Sequence, residues 1–442
     1  MPFTRSIFAR RPATETKARR VSDPPISGEP QVQGEDRPLT GTVALRNRDF
    51  RLFFFGKAFA AIGQHMVTVA IGYQVYDRTG DPMDLAYIGL ATFAPAFGFA
   101  LFTGYVSDLF DRRLVLSYCY GVMMTAAVLL FIFTVHGGAD VWPAFVIMSL
   151  MGTGRAFYQP ASNALVPNLV PAVEFPNAVA WNTGANKVSQ MLGPALGGGL
   201  YLIGPEVVYA TAAAACVVGI ASTAMIRTRT HRTGKEPTTL KILLAGLSYV
   251  YHKKIIFGAI TLDLFVVILG GVTALLPVFA KDILEVGPSG AGLLRSAAAF
   301  GAVLSAALLT QIAMTRGVGK ILFVMVFIFG FATILFGLSQ WFWLSMAAMT
   351  IIGAADMVSV YIRSTLLQIA TPDDMRGRVS AVNSVFTGAS NEIGEFRAGT
   401  MAALIGTIPA VLFGGIGSVI VAAVCWKLFP VLVRVERMDR NM

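Results

Sequence analysis

The chain has 442 residues, of which 55% are hydrophobic and only 14% are charged, and its mean hydropathy is +0.65. An average soluble domain is about 25% charged, so this composition excludes an ordinary soluble protein whose whole surface faces water. The formal net charge of +10 would suggest nucleic acid in a soluble chain, but the basic residues lie between apolar runs, so no nucleic-acid partner is expected.

Apolar runs long enough to cross a bilayer recur along the chain after residue 50. A spanning helix needs roughly 20 apolar residues, and the alternation expected of barrel strands is absent. We therefore predict an all-α integral membrane protein with twelve transmembrane helices, whose partner is the lipid bilayer. The predicted spans cover residues 52–76, 84–107, 114–135, 141–164, 177–202, 206–226, 255–280, 289–312, 320–338, 341–367, 379–404 and 408–431.

Basic residues are concentrated in every second loop, whereas the opposite loops hold little more than Arg78 and Lys281. This bias predicts that both termini are cytoplasmic in a multi-pass protein of a bacterial inner membrane. The start of the chain is polar and rich in Pro, Arg and Glu, which predicts a disordered tail. The predicted organisation is a cytoplasmic tail over 1–45, a six-helix bundle over 46–226, a cytoplasmic central loop over 227–254, a second six-helix bundle over 255–431 and a cytoplasmic tail over 432–442.

The two predicted bundles are related by an internal repeat. Sliding the chain against itself by 201 positions aligns Gly152 with Gly353, Pro171 with Pro372, Asn182 with Asn383, Gly193 with Gly394, and Gly198 with Gly399. Each match is weak alone, but their shared register predicts two pseudo-symmetric six-helix bundles. Repeats of this kind suit a carrier whose halves rock around a site near the membrane midplane.

The loop after the second predicted span reads Gly104-Tyr-Val-Ser-Asp108-Leu-Phe-Asp111-Arg112-Arg113. The glycine permits close helix approach, Asp108 can face a positive helix N-terminus, and the arginines can pair with acidic groups. This segment resembles the signature of the major facilitator superfamily, although Asp111 stands where that family often has glycine. The resemblance implies the major facilitator fold and a conformational latch formed by Gly104, Asp108, Arg112 and Arg113. The alternative is a charged loop with no role beyond topology.

The fifth predicted span contains Gly193-Pro194-Ala-Leu-Gly197-Gly198, in which proline kinks the helix and the glycines permit tight packing. It resembles an element of the superfamily's antiporters, while ordinary helix packing is the alternative. With the Asn391-Glu392-Ile-Gly394-Glu395 segment of span eleven, it resembles the enterobactin-exporter-like branch, which includes multidrug and macrolide carriers. The resemblance implies export of a small molecule by a monomer.

Ionisable residues inside a bilayer usually face a cavity or a partner, so those within the spans are functional candidates. Glu392 and Glu395 are three residues apart and therefore lie near one helical face. A carboxyl group in such a cavity can exchange protons, although a structural ion pair is the alternative. The candidates for proton coupling are Glu395, Glu392, Asp263 and Asp356, and those for cavity lining or charge pairing are Arg155, Lys187, Arg397, His65, Gln74, Tyr158 and Asn182.

Three other charged residues are expected to lie near the ends of their spans. Lys57 and Arg363 are predicted to extend towards the cytoplasmic interface, and Arg295 is placed close to the outer end of span eight. Cys119 and Cys216 are read, like the third cysteine, as small buried apolar residues.

The motifs that are missing also restrict the function. The chain has no Gly-x-x-x-x-Gly-Lys-(Ser/Thr) loop for ATP and no metal-ligand spacing of His and Cys, so neither cofactor nor metal is expected. We predict a secondary transporter, not an enzyme, that exchanges protons for a hydrophobic or amphipathic drug-like or siderophore-like molecule by alternating access. The alternatives are an uptake symporter or facilitator with the same fold and, from another class, a membrane-embedded enzyme or receptor.

Overall fold

A computed structural model describes residues 41–138, 140–228, 240–311 and 316–436, without the side chains of 100–102, 104, 105, 107–109, 240–245, 373 and 374. Within these ranges no strand occurs, and twelve long helices coincide with the predicted apolar runs. They are α1 Arg48–Thr79, α2 Pro82–Leu109, α3 Arg112–His136, α4 Trp142–Leu169, α5 Phe175–Tyr201, α6 Pro205–Ala224, α7 Lys254–Gly270, α8 Gly287–Gln311, α9 Val318–Leu338, α10 Phe342–Ile369, α11 Asp373–Ile405 and α12 Thr407–Leu428.

Eight of these helices are long and apolar enough to cross a membrane, namely α1, α3, α6, α7 with its continuation to Ile283, α8, α9, α10 and α12. The other four, α2, α4, α5 and α11, are long enough but not apolar enough within the described residues. Three of them carry charged residues towards the interior: Arg155 on α4, Lys187 on α5, and Glu392 on α11. The chain is therefore a multi-pass membrane protein, and the count of twelve spans remains a prediction.

The last six helices repeat the packing pattern of the first six. In the first half, α1 packs on α5 and α6, α2 packs on α4, and α3 packs on α4 and α6. In the second half, α7 packs on α11 and α12, α8 packs on α10, and α9 packs on α10 and α12. The two halves meet where α5 packs on α8 and where α2 packs on α11, which are again equivalent pairs. This arrangement confirms the predicted pseudo-symmetric bundles of the major facilitator fold.

The glycines that revealed the repeat occupy equivalent contacts within the two halves. A Cβ atom on Gly152 of α4 would collide with the backbone of Thr92 on α2. Its repeat mate Gly353 on α10 has the same relation to the backbone of Ala298 on α8. Only glycine permits two helix backbones to approach so closely, which explains why glycine occupies both repeat-related positions.

A second pair of repeated glycines lies at the contacts between the halves. A Cβ atom on Gly198 of α5 would lie 3.1 Å from the Cα atom of Gly292 on α8. A Cβ atom on Gly399 of α11 would lie 2.8 Å from the Cβ atom of Ala86 on α2. The shared register of the sequence repeat therefore reflects equivalent helix crossings.

The predicted central loop over 227–254 is only partly a loop. Leu240–His252 forms a helix that packs along α11, where a Cβ atom on Gly246 would lie 2.8 Å from the carbonyl oxygen of Arg378. Residues 229–239 lie outside the described residues, as does most of the predicted tail over 1–45. The tail was expected to be disordered, and this expectation stays a prediction.

Among the described residues, buried apolar clusters join the two halves at one side of the molecule. If all twelve helices cross the membrane, as predicted, residues 41 and 436 lie on one side, here called the termini side; the opposite side is called the far side. One core cluster combines Val75 and Leu85 from the first half with Leu275 and Phe279 from the second, at the far side. Near the termini side each half has its own separate clusters. The halves are thus sealed together at the far side.

Candidate functional site

Three adjoining cavities of about 360, 410 and 380 Å³ lie between the two halves, and we call them together the central chamber. They join because Arg155 lines the first and second, His65 lines the second and third, and Arg295 lines the first and third. The walls come from α1, α2, α4 and α5 of the first half and from α7 to α11 of the second, with the segment following α7. Both halves therefore contribute to one site.

Six charged side chains line the central chamber, and none makes an ion pair or hydrogen bond with any part of the chain that the structure describes. They are Arg155, Lys187, Arg295, Asp356, Glu392 and Glu395. An unpaired charge inside a membrane protein is costly unless water or a bound molecule solvates it. The chamber therefore suits a polar or charged occupant better than a purely apolar one.

Two of these charges occupy repeat-related positions with opposite sign. Arg155 follows Gly152 on α4 by three residues, and Asp356 follows Gly353 on α10 by three residues. Both face the chamber. The two halves thus place a cation and an anion at equivalent points, which makes the chamber electrically asymmetric although its scaffold is symmetric.

The predicted acidic pair of α11 lies in the chamber as expected. Glu392 lines the first two cavities and Glu395 lines the first, where Glu395 packs close to Gly89 of α2. Arg295, expected one to two turns into α8 from the outer side and set aside as a site residue, lines the same cavity. The sequence did indicate that Arg295 could face a cavity, because it is an arginine within an apolar run.

Asp263 lies outside the chamber, in a buried cluster between α7, α10 and α11. Its carboxylate forms an ion pair with Arg363 of α10 and accepts a hydrogen bond of 3.3 Å from the hydroxyl of Thr387 on α11. Arg363 also donates to the hydroxyl of Ser359 at 3.2 Å. The prediction that Arg363 extends towards the interface is wrong, because a buried carboxylate holds it inside the bundle.

Lys57 also remains inside the protein and does not extend to the interface, so that prediction is wrong as well. The side chain is 1% exposed and its ammonium group donates to the Oδ1 atom of Asn182 at 2.7 Å. The rings of Phe53 and Tyr158 lie 5.8 and 6.0 Å from the ammonium nitrogen. Asn182, predicted as a cavity residue or charge partner, is therefore the partner of a buried lysine and does not line the chamber.

The other predicted cavity residues divide between the chamber and the bundle interior. His65 and Tyr158 line the chamber, as predicted. Gln74 does not, because its amide accepts from the hydroxyl of Tyr209 at 2.6 Å and donates to Thr134 at 3.0 Å within the first half. These bonds satisfy a buried amide and tie α1 to α3 and α6.

Arg397 does not pair with any acidic residue in the described part of the chain. Its guanidinium group donates to the carbonyl oxygens of Ile268 at 2.8 Å and Leu269 at 2.6 Å, where α7 ends. A cation is favourable at a helix C-terminus, whose last carbonyl groups lack partners within the helix. Arg397 therefore stabilises the break between α7 and the helical turns that follow it.

The described part of the predicted latch ties the start of α3 to its neighbours at the termini side. Arg112 donates to the carbonyl oxygen of Ala164 at 2.9 Å. Arg113 pairs with Asp111 at 2.7 Å and donates to the carbonyl oxygen of Ile226 at 2.7 Å. The contacts of the other two predicted latch residues, Gly104 and Asp108, lie outside what the structure describes.

The glycine-proline motif of α5 packs against both halves. Gly193 and Gly197 face the backbone of α1, and Gly198 faces the backbone of α8, while the carbonyl oxygen of Pro194 lies against Gly292. The motif is therefore a buried contact between the halves, on the far side of the chamber.

Polar contacts close the far side beyond the apolar cluster. The Tyr76 hydroxyl donates to the carboxylate of Asp282, and Lys281 forms an ion pair of 2.7 Å with Asp77. These contacts join the last turn of α1 to the helical turn before α8. The described contacts therefore close the chamber at the far side, whereas at the termini side the buried clusters of the described residues do not join the two halves.

Comparisons with known proteins agree with this architecture. A family model described as transmembrane secretion effector matches residues 40–441. Macrolide efflux protein A of Streptococcus pyogenes is 20% identical over 397 residues, covering 88% of this chain and 97% of that protein. The enterobactin exporter EntS of Shigella boydii serotype 18 is 22% identical, covering 88% of this chain and 92% of that protein.

Solved structures show the same fold. A bacterial homologue of the lysosomal transporter Spinster, in an inward-facing and unoccupied conformation, matches with a TM-score of 0.67 and 16% identity, covering 88% of this chain and 97% of that one. A POT family transporter in complex with 5-aminolevulinic acid matches with a TM-score of 0.69 and 10% identity, covering 87% of this chain and 97% of that one. The chain belongs to the transmembrane secretion effector family and is a membrane transporter of the major facilitator superfamily, with a small-molecule substrate, and not an enzyme.

Proposed function

We propose that the chain is a proton-coupled antiporter that exports a small amphipathic molecule across a bacterial inner membrane by alternating access. The observation that carries the proposal is the pair of carboxyl groups, Glu392 and Glu395, that line a chamber shared by both halves. Neither has a protein partner in the described part of the chain. A carboxyl group in that position can bind a proton or a positively charged group of a solute, but not both.

The arrangement of the chamber supports alternating access. The halves are held together at the far side by the glycine contacts of α5 and α11 and by the Lys281–Asp77 ion pair. If the termini are cytoplasmic, as the charge bias predicts, the chamber opens towards the cytoplasm and can load solute for export. The two relatives described above, which match 88% of this chain, are named as an efflux protein and an exporter.

The chamber also narrows the class of solute. Lys187, Arg295 and Asp356 line one wall together, so a solute would meet both positive and negative groups. A purely apolar solute would remove water from these charges without replacing it, which is unfavourable. An amphipathic molecule with polar or charged groups fits better.

An accumulation assay in cells tests the proposal. Cells that produce the wild-type protein, Glu395→Gln or Glu285→Gln are compared for uptake of a macrolide, a catecholate siderophore and a lipophilic cation. Glu285 is the matched control because it is an exposed acid in the turn before α8. Wild type and Glu285→Gln are expected to lower accumulation of at least one compound, whereas Glu395→Gln does not. Equal accumulation with and without wild-type protein for every compound contradicts export, and full activity of Glu395→Gln removes that residue from coupling.

A further inference from the structure

The two halves contain buried polar clusters in corresponding places, but only one of them is electrically neutral. In the second half, Asp263 lies between α7, α10 and α11 and is paired with Arg363. In the first half, Lys57 lies between the corresponding helices α1, α4 and α5. The residue at the repeat position of Arg363, 201 places earlier, is Ser162. The first half therefore contains a buried lysine without the counter-ion that the repeat provides in the second.

The correspondence rests on the glycine contacts of the repeat. Gly193 of α5 faces Ile62 on α1, and its mate Gly394 of α11 faces Val267 on α7. Lys57 precedes Ile62 by five residues and Asp263 precedes Val267 by four, so the two groups lie at nearly the same level.

The surroundings of Lys57 offer it little compensation. Asn182 is its one hydrogen-bond partner among the described residues, and the rings of Phe53 and Tyr158 contact it from two sides. The hydroxyls of Tyr158 and Ser162 are buried and lack a hydrogen-bond partner in the same part of the chain. A buried ammonium group with one amide partner is unfavourable, whereas a neutral amine can remain there at lower cost.

Lys57 is close to the chamber but separated from it. Tyr158 has its ring against Lys57 and also lines the chamber. His65, two helical turns further along α1, lines the chamber as well. A rearrangement of Tyr158 would therefore place the amine in contact with chamber water.

The other side chains around Lys57 that the structure describes are uncharged. From α3, Tyr120 packs behind Tyr158 with ring centroids 5.7 Å apart, and from α6, Ser222 packs against Gly56, the residue before Lys57. Among the described side chains at this end of α2, Thr103 and Val106 are also uncharged. The titratable groups among these neighbours are the two tyrosines and Cys119, which lies in the same buried cluster, and no described carboxylate holds the proton of Lys57 in place.

We propose that Lys57 is a second proton-exchange site, located in the first half and distinct from the carboxyl groups of the chamber. Its ammonium group releases one proton to chamber water and becomes a neutral amine when the halves close at the far side; it regains one proton when they open there. No other bond changes. The inference rests on the proposed function only in requiring that proton exchange accompanies the movement of the halves.

The test uses the full-length, substrate-free protein in lipid nanodiscs and measures the distance between the halves as a function of pH. Ile203 and Leu404 lie on the far side of the two halves and are 72% and 74% exposed, so cysteines there can carry spin labels. The buried native cysteines are replaced by alanine. Three variants are compared with wild type: Lys57→Met, which has no charge, Lys57→Arg, which cannot lose its proton, and Ser162→Asp, which supplies a counter-ion.

In wild type, the distribution of distances between the two labels is expected to change with pH. Part of this change is a titration step due to Lys57, and both Lys57→Met and Lys57→Arg are expected to lose that step. Ser162→Asp is expected to lose the same step, because a paired ammonium keeps its proton. A purely structural role for Lys57 predicts instead that the conservative Lys57→Arg keeps the step, and this result overturns the proposal. Retention of the step by Lys57→Met also overturns it. Loss of transport by Glu395→Gln is independent of both results, so the two proposals fail separately.

Discussion

The contact between Gly198 on α5 and α8 should control how easily the far side opens. In Gly198→Ala, the added methyl group would lie 3.1 Å from the Cα atoms of Gly292 and Ser289 and still closer to a backbone carbonyl. Backbone cannot move aside as a flexible side chain can, and overpacking of this kind costs typically about 1–3 kcal/mol. The cost applies only to the far-side-closed state, so the closed population should fall relative to the open one by roughly 5- to 150-fold.

Distances between spin labels at positions 203 and 404 measure this population. Gly198→Ala is expected to enrich the longer distances that accompany far-side opening. Gly199→Ala is the matched control, because no neighbouring atom lies within 4 Å of a Cβ atom placed on Gly199. Identical distributions for wild type and Gly198→Ala would refute the reasoning, and so would an equal shift in the control.

Three further predictions concern stability and the far-side contact. Arg363→Met leaves the carboxylate of Asp263 buried without a counter-ion, so it should destabilise the protein by about 3–5 kcal/mol. The double variant with Asp263→Asn should recover much of this stability, as measured by thermal unfolding. Lys281→Met removes a partly exposed pair worth about 0–1 kcal/mol, so the spin-label distances should shift less than in Gly198→Ala. Gly353→Ala should lower the unfolding temperature because its Cβ atom collides with α8, whereas Gly121→Ala, with open space, should not.

The apolar runs predicted the helices well because the bilayer allows so few solutions. Every backbone group in lipid must be paired internally, so a run of about 20 apolar residues becomes a helix with little ambiguity. The repeat was also readable, since close helix crossings require glycine and the crossings recur in both halves. Gly152 and Gly353 carried this information in the sequence alone.

The pairing of charged residues could not be read from the sequence. Arg363 and Lys57 were expected to reach the interface, because position along a span indicates depth but not the direction of a side chain. Asp263 and Arg363 are 100 residues apart in the chain, so only the packing of α7 on α10 reveals the ion pair. Arg397 illustrates the same difficulty, since its partners are backbone carbonyl groups that no side-chain pattern reports.

The structure places five of the predicted charged residues in the chamber and leaves Asp263 outside it. The five are Glu392, Glu395, Asp356, Arg155 and Lys187. Glu392 and Glu395 stand out because two carboxyl groups on one face of a spanning helix have few structural explanations. Arg295 was assigned to the outer end of α8, yet it lines the chamber because the far side is closed above it. The position of a residue along its span therefore predicts whether it lines the chamber only when the conformation of the two halves is also known.

Proton flux measured together with transport tests the central claim most directly. Purified protein in liposomes that contain a pH-sensitive dye is supplied with a compound identified by the accumulation assay, with and without an imposed pH gradient. Proton-coupled antiport predicts that protons move in the direction opposite to the compound and that an ionophore that collapses the gradient stops its accumulation. Accumulation that continues unchanged after the gradient is collapsed would contradict the account.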